Sequence, residues 1–118
     1  MKKIKFGETT KLLLTEEETL FSQGDEGDKA YMIISGRLAV FVDNKRVGSM
    51  SDGEVFGELA LLLNLKRSAT IISITPTELI EIDKNGLDKI IDSASENTKK
   101  MIIKLCDALS KRQEFQKV

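Results

Sequence analysis

Glu58 and Arg67 stand nine residues apart in the run FGELALLLNLKRSATI, residues 56–71, and are the pair in this chain best placed to do chemistry. Gly57 lets the backbone turn sharply, and residues 58–63 are good helix formers. A short helix that opens at a glycine presents main-chain N–H groups not yet used by the helical ladder, and such groups suit an anion. An arginine holds a phosphate through two parallel charge-assisted hydrogen bonds, each contributing ~1.5–3 kcal/mol. The small pair Ser68-Ala69 follows Arg67 directly. A carboxylate does not help to bind phosphate, but it accepts hydrogen bonds well from a sugar hydroxyl. Together these groups describe a pocket for a ribose phosphate. The plainer alternative is an ion pair between Glu58 and Arg67 at a sheet edge.

What the chain lacks narrows the chemistry further. There is no histidine among the 118 residues, which excludes a Ser/His/Asp triad, a Cys/His dyad and every zinc site that uses histidine. The single cysteine, Cys106, allows no internal disulfide and no thiolate cluster; a buried small apolar residue in a reducing, cytoplasmic setting is the expectation. Residues 43–54 have the length and central glycine of a calcium loop, but Lys45 and Val47 occupy ligand positions, so no metal is expected there. Any catalysis would have to use carboxylates, hydroxyls, lysine and arginine. Binding without a cofactor, not turnover, is therefore expected. With 41% apolar residues and 18 basic against 19 acidic side chains, for a net charge of −1, the composition is that of one folded domain and not of a disordered chain. No apolar run approaches the ~20 residues of a membrane helix, and the start Met1-Lys2-Lys3-Ile4-Lys5 leads into no signal-peptide core.

The elements that must position Glu58 and Arg67 are mostly strands. Seven of the eight glycines lie in the first half of the chain. Between them sit short β-branched and apolar segments at 11–14, 19–21, 31–34, 38–42 and 46–47, with two more at 69–74 and 79–82, as in an antiparallel sandwich or barrel. In 38–42, LAVFV, both faces are apolar, as in a strand covered on two sides. Asp43-Asn44 offers a tight hairpin turn, and Thr75-Pro76-Thr77 a break between strands. Beyond Asp83 the spacing turns helical: Leu87, Ile90 and Ile91 predict a helix over about 84–92, and Met101, Ile102, Leu105, Cys106 and Leu109 a second over about 95–116. The reading is a mainly β, α+β chain: an antiparallel β-roll or jelly-roll barrel over about 8–83, a short phosphate-binding helix within it, and two C-terminal helices. It forms one domain over 1–118.

Residues 56–71 resemble the phosphate-binding cassette of cyclic nucleotide-binding domains, found in catabolite-activator-type regulators, cyclic-nucleotide-dependent kinases and gated channels. The stretches Leu20-Phe21-Ser22-Gln23-Gly24-Asp25-Glu26-Gly27-Asp28, Tyr31-Met32-Ile33-Ile34-Ser35-Gly36 and Asp52-Gly53-Glu54-Val55-Phe56 fit the same family in the same order. The resemblance spans about residues 10–115. It implies that Glu58 accepts the ribose 2′-hydroxyl and that Arg67 pairs with the cyclic phosphate. The N–H groups of Ala60 and Leu59 would bind that phosphate, with Gly57 allowing close approach and Ser68, beside Ala69, touching it. Val47 and Met50 fall where apolar residues flank the purine. The final helix would cover the base and report occupancy. A threonine after the arginine commonly accompanies cGMP selectivity in this family; Ser68 stands here, so cAMP is expected ahead of cGMP.

Departures from the pattern are also legible. Family members usually open with a helix, whereas about ten residues precede the first strand expected here. Lys66 stands where many members have proline. No kinase, channel or helix-turn-helix segment follows the last helix, so no effector domain is expected and the downstream partner is unknown. Bland alternatives stand beside several assignments: Ser68 as a small strand residue, Val47 and Met50 as core, and the stripe Met101, Ile102, Leu105, Leu109 as packing instead of a homodimer helix. The excess of lysine and arginine over 99–117 reads as a solvated face, and direct DNA binding is not expected from it. Glu16-Glu17-Glu18 reads as a solvated turn. A ligand-independent structural or dimerisation module of the same fold is the alternative function.

Overall fold

Asp43 and Asn44 both adopt the left-handed conformation (φ 52° and 66°), the geometry of a two-residue hairpin turn whose twist matches its strands. Val42 and Lys45 pair directly across it. That turn joins two of the nine strands in a computed structural model that describes residues 1–7 and 9–92. In chain order the elements are β1 (Lys2–Phe6), β2 (Thr9–Leu14), β3 (Thr19–Phe21), β4 (Ala30–Ser35), β5 (Arg37–Val42), β6 (Lys45–Ser51), β7 (Val55–Phe56), α1 (Glu58–Leu63), β8 (Thr70–Ser73), β9 (Thr77–Ile82) and α2 (Lys84–Asp92). The helix expected over 95–116 lies outside the described residues.

The strands form two sheets, ordered β1-β2-β9-β4-β7 and β3-β8-β5-β6, with every pairing antiparallel. This is the mainly antiparallel β architecture that the glycine-punctuated segments imply. The core lies between the sheets: Leu12, Ile33 and Leu79 come from one, Leu38, Val40 and Ile71 from the other. Each such side chain, fully buried, contributes roughly 1.5–3 kcal/mol. β5 is central in its sheet, and Leu38, Ala39 and Val40 in succession are buried, which accounts for a segment apolar on both faces.

Three departures from the sequence reading have physical causes. The first strand is Lys2–Phe6, paired with β2 from Lys2↔Leu13 to Phe6↔Thr9, and not the segment at 11. Its lysines are exposed and only Ile4 is half-buried; lysine on an edge strand discourages pairing with other chains and also hides the strand from an apolar pattern. β6 extends over Lys45–Ser51, beyond the expected 46–47, because Gly48 and the serines weaken its signal. A register shift occurs between Val40 and Phe41, which pair with Gly48 and Arg46, so Val47 is the extra residue of a β-bulge. Thr77, expected in the turn, begins β9 and is buried.

Candidate functional site

The site is assembled where β7 runs into α1. Phe56 is fully buried and anchors the approach. Gly57 then takes the left-handed conformation (φ 82°) at the helix N-cap, which an L side chain would adopt only at a cost of roughly 1–2 kcal/mol. The first helical bond runs from the Leu61 N–H to the Gly57 carbonyl at 3.3 Å, so the amides of Leu59 and Ala60 precede the ladder. α1 ends one turn later, where Asn64 in the left-handed conformation (φ 58°) donates its N–H to the Ala60 carbonyl.

α1 is seated on the loop between β3 and β4. A Cβ added at Gly27 would stand 2.2 Å from the Ala60 Cβ and 2.9 Å from the Leu65 carbonyl oxygen, so helix and loop meet at a distance that only glycine permits. The same loop grips Arg67 by its main chain. Gly24 N–H donates to the Arg67 carbonyl (2.8 Å) and Arg67 N–H donates to the Asp25 carbonyl (2.7 Å). At the start of the loop Gln23 N–H donates to Thr70 Oγ1 (2.9 Å), and Gln23 Oε1 accepts from the Asp43 N–H (2.9 Å).

Arg67 is 3% exposed, so it lies inside the protein and not in an exposed ion pair at a sheet edge. Nη2 donates to the Lys29 carbonyl at 2.6 Å and Nη1 to the Gly57 carbonyl at 3.3 Å. The guanidinium carbon stands 4.1 Å from the centroid of Phe21 and 5.8 Å from that of Tyr31. Burial lowers the Arg67 pKa from the usual arginine value, opposed by Tyr31 and by the Asp28 and Asp25 carboxylates; the group stays charged at neutral pH. Its Nε is buried with no hydrogen-bond acceptor. A buried donor on a cation left in this way is costly, and an anion supplying one oxygen would satisfy it. Glu58, half-buried on the first turn of α1, has Oε2 shielded from solvent.

The structure thus brings Gly57, Glu58, Leu59 and Ala60 together on one turn and ties Arg67 to Gly57 by a hydrogen bond. Ser68 is exposed directly after Arg67, whereas Ala69 is buried in the core. Val47 and Met50 lie on β6: Val47 is 38% exposed at the bulge, and Met50, opposite Leu38, belongs to the core cluster. Phe21, Gly27 and Lys29 also shape the site; from sequence, Phe21 and Gly27 stand within the resembling stretch 20–28, and none of the three is assigned a role here. Phe21 reads there as one more strand residue, and a main-chain acceptor such as the Lys29 carbonyl leaves no trace in residue type. Two clefts of about 500 and 350 Å³ between β1, β2, β9 and α2 include none of residues 57–60 or 67–69. Among the described residues no three His, Cys, Asp or Glu side chains gather to hold a metal, and no helix is long and apolar enough to cross a membrane.

The profile of one protein family, the Cyclic nucleotide-binding domain, matches residues 11–94. The chain belongs to that family. As a cyclic nucleotide-binding domain it is 39% identical over 74 residues to a cAMP-dependent protein kinase regulatory subunit of Yarrowia lipolytica, a match covering 63% of this chain and 20% of the relative. Among solved structures it resembles the EAL enzyme Bd1971 in its cAMP-bound form, with a TM-score of 0.73, 27% identity and 84% of this chain against 28% of that one. The cGMP-bound form of the same enzyme gives a TM-score of 0.74 at the same identity and coverage. The catabolite activator protein of Thermus thermophilus gives 0.71 at 25% identity, over 88% of this chain and 49% of that one. The chain thus spans about a fifth of the curated relative's length. In this cyclic nucleotide-binding domain the residues before β2 form the edge strand β1.

Proposed function

We propose that this domain is a regulatory sensor that binds cAMP in preference to cGMP and signals through movement of its C-terminal helix, without catalysing a reaction. The observation that carries the reading is Arg67: a charged guanidinium, 3% exposed, with a buried Nε awaiting an acceptor and a hydrogen bond from Nη1 to the glycine that opens α1. Arg67 pairs with the cyclic phosphate through Nε and a neighbouring nitrogen. The amides of Ala60 and Leu59 add donors, Gly57 admits the phosphate to the backbone, and Ser68, next to the small Ala69, offers a hydroxyl. Glu58 accepts the ribose 2′-hydroxyl, and Val47 and Met50 flank the purine from β6.

No proton transfer or nucleophile is required by this arrangement. Occupancy biases an equilibrium between two arrangements of the C-terminal helix, and the output is that shift. The helix carries the signal to an effector, through a homodimer contact or an attached segment. The preference for cAMP is supported by Ser68 where cGMP-selective relatives commonly carry threonine, and by the kinase-regulatory relative, itself named for cAMP dependence.

A cyclic nucleotide has about 22 non-hydrogen atoms, and at ~0.3 kcal/mol per atom the dissociation constant falls in the micromolar range. Calorimetric titration of the folded protein with each nucleotide tests the reading. Micromolar binding with cAMP the tighter is expected. No binding of either below ~1 mM would overturn the sensor, and tighter cGMP binding would reverse the preference.

A further inference from the structure

Arg67 is not only buried but stacked. Its guanidinium carbon lies 4.1 Å from the centroid of the Phe21 ring, and Phe21 is itself only 8% exposed, so the contact is closed to water. Each terminal nitrogen donates one of its two hydrogens to a main-chain carbonyl, while the Nε hydrogen has no acceptor. Holding a cation in such a place is costly unless something compensates its charge. The Asp28 and Asp25 carboxylates support the charge electrostatically, but a carboxylate bonded directly to the guanidinium would also accept the hydrogen bonds that an incoming phosphate needs. An aromatic face attracts the cation through its ring quadrupole and leaves the donor edge unoccupied. The Phe21 ring is in turn fixed by Tyr31 and Phe56, with centroids 6.0 and 6.2 Å away, and Phe56 immediately precedes Gly57. The plate under Arg67 is therefore keyed to the turn that opens α1.

We propose that Phe21 is a positioning residue for anion recognition: an aromatic plate that fixes the plane of the buried Arg67 guanidinium and keeps its Nε edge available to the phosphate of a cyclic nucleotide. The proposal rests on the reading of Arg67 as the phosphate ligand, and it requires the π face of Phe21 and not merely its volume.

The test places pentafluorophenylalanine at position 21, which keeps the ring's shape but reverses its quadrupole, beside the variant Phe21→Leu. Two quantities are read: the exchange rate of the Arg67 Nε–H with water in the ligand-free protein, by nuclear magnetic resonance, and the dissociation constant for cAMP. Slow exchange is expected in the wild type and at least severalfold faster exchange in both variants, with affinity about two- to thirtyfold weaker in each. Wild-type exchange and affinity with the fluorinated ring, while Phe21→Leu is impaired, would reduce Phe21 to apolar filling and overturn the proposal. Unchanged values in both variants would overturn it as well. Exchange that responds to fluorination in a protein binding no nucleotide would keep the plate and overturn the phosphate reading instead.

Discussion

Gly27→Ala perturbs the site without replacing any residue proposed to contact the ligand. The new Cβ would stand 2.2 Å from the Ala60 Cβ and 2.9 Å from the Leu65 carbonyl oxygen. Carbon atoms pack at about 3.5–4.0 Å, so helix and loop must separate by more than about 1 Å, and the Leu65 obstacle is backbone that no rotamer change can relieve. Overpacking of this kind costs roughly 1–3 kcal/mol, and for a domain near this size each kcal/mol lowers the melting temperature by about 3–6 °C. The displacement also parts the α1 amides from the loop that holds both Arg67 N–H and Arg67 O. A binding constellation tolerates only about 0.5 Å of misplacement, so cAMP affinity should fall about tenfold or more. Thermal melting and calorimetry on the same preparation measure both effects. Ala60→Gly, added to Gly27→Ala, removes the closer of the two obstacles and should restore part of the loss despite its own helix cost of roughly 0.5–1 kcal/mol. A Gly27→Ala protein that melts and binds like the wild type would refute the claim that this contact positions α1.

Further outcomes follow from the same geometry. Gly57→Ala forces an alanine to φ 82° and sets its Cβ 2.8 Å from Arg67 Nη1, so nucleotide affinity measured by calorimetry should drop at least tenfold, with a lower melting temperature. Glu58→Gln should weaken cAMP by about tenfold, the scale of a hydrogen bond to a charged group, yet leave 2′-deoxy-cAMP nearly unaffected; equal losses would remove Glu58 from the ribose. Tyr31, the chain's one tyrosine, has its pKa pushed up to about 12 by burial, then by Glu81 and Asp28, with Arg67 opposing. The unfolded chain ionises near the ordinary value of about 10, so stability present below that pH is lost as pH rises through 12, by up to about 2–3 kcal/mol. Denaturation across this range should show the decline in the wild type and lack it in Tyr31→Phe.

Much of this fold is legible in the residues because each local signal agrees with the global arrangement. Asp43-Asn44 prescribes its hairpin, LAVFV its doubly covered strand, and Gly57 with residues 58–63 the short helix. The charged partners of the site, Glu58 and Arg67, stand out for the same reason: their types are rare beside an apolar run. What could not be read is everything decided by proximity between distant segments. Phe21 meets Arg67 across 46 positions of chain, Lys29 offers a carbonyl that any residue would carry, and Gly27 is needed only because Ala60 lands against it. The strand β1 escaped because its lysines serve solubility at an edge and conceal the alternation. Met50 is packed in the core cluster opposite Leu38, a placement the sequence left open beside its position flanking the ligand.

The central claim is that the buried Arg67 Nε is the donor kept for the cyclic phosphate. Its Nε–H resonance, followed through a titration with cAMP, tests that claim most directly. The account predicts a saturable downfield shift with slowed water exchange, at the same micromolar midpoint that calorimetry gives for binding. A resonance that stays in place while nucleotide binds would contradict it.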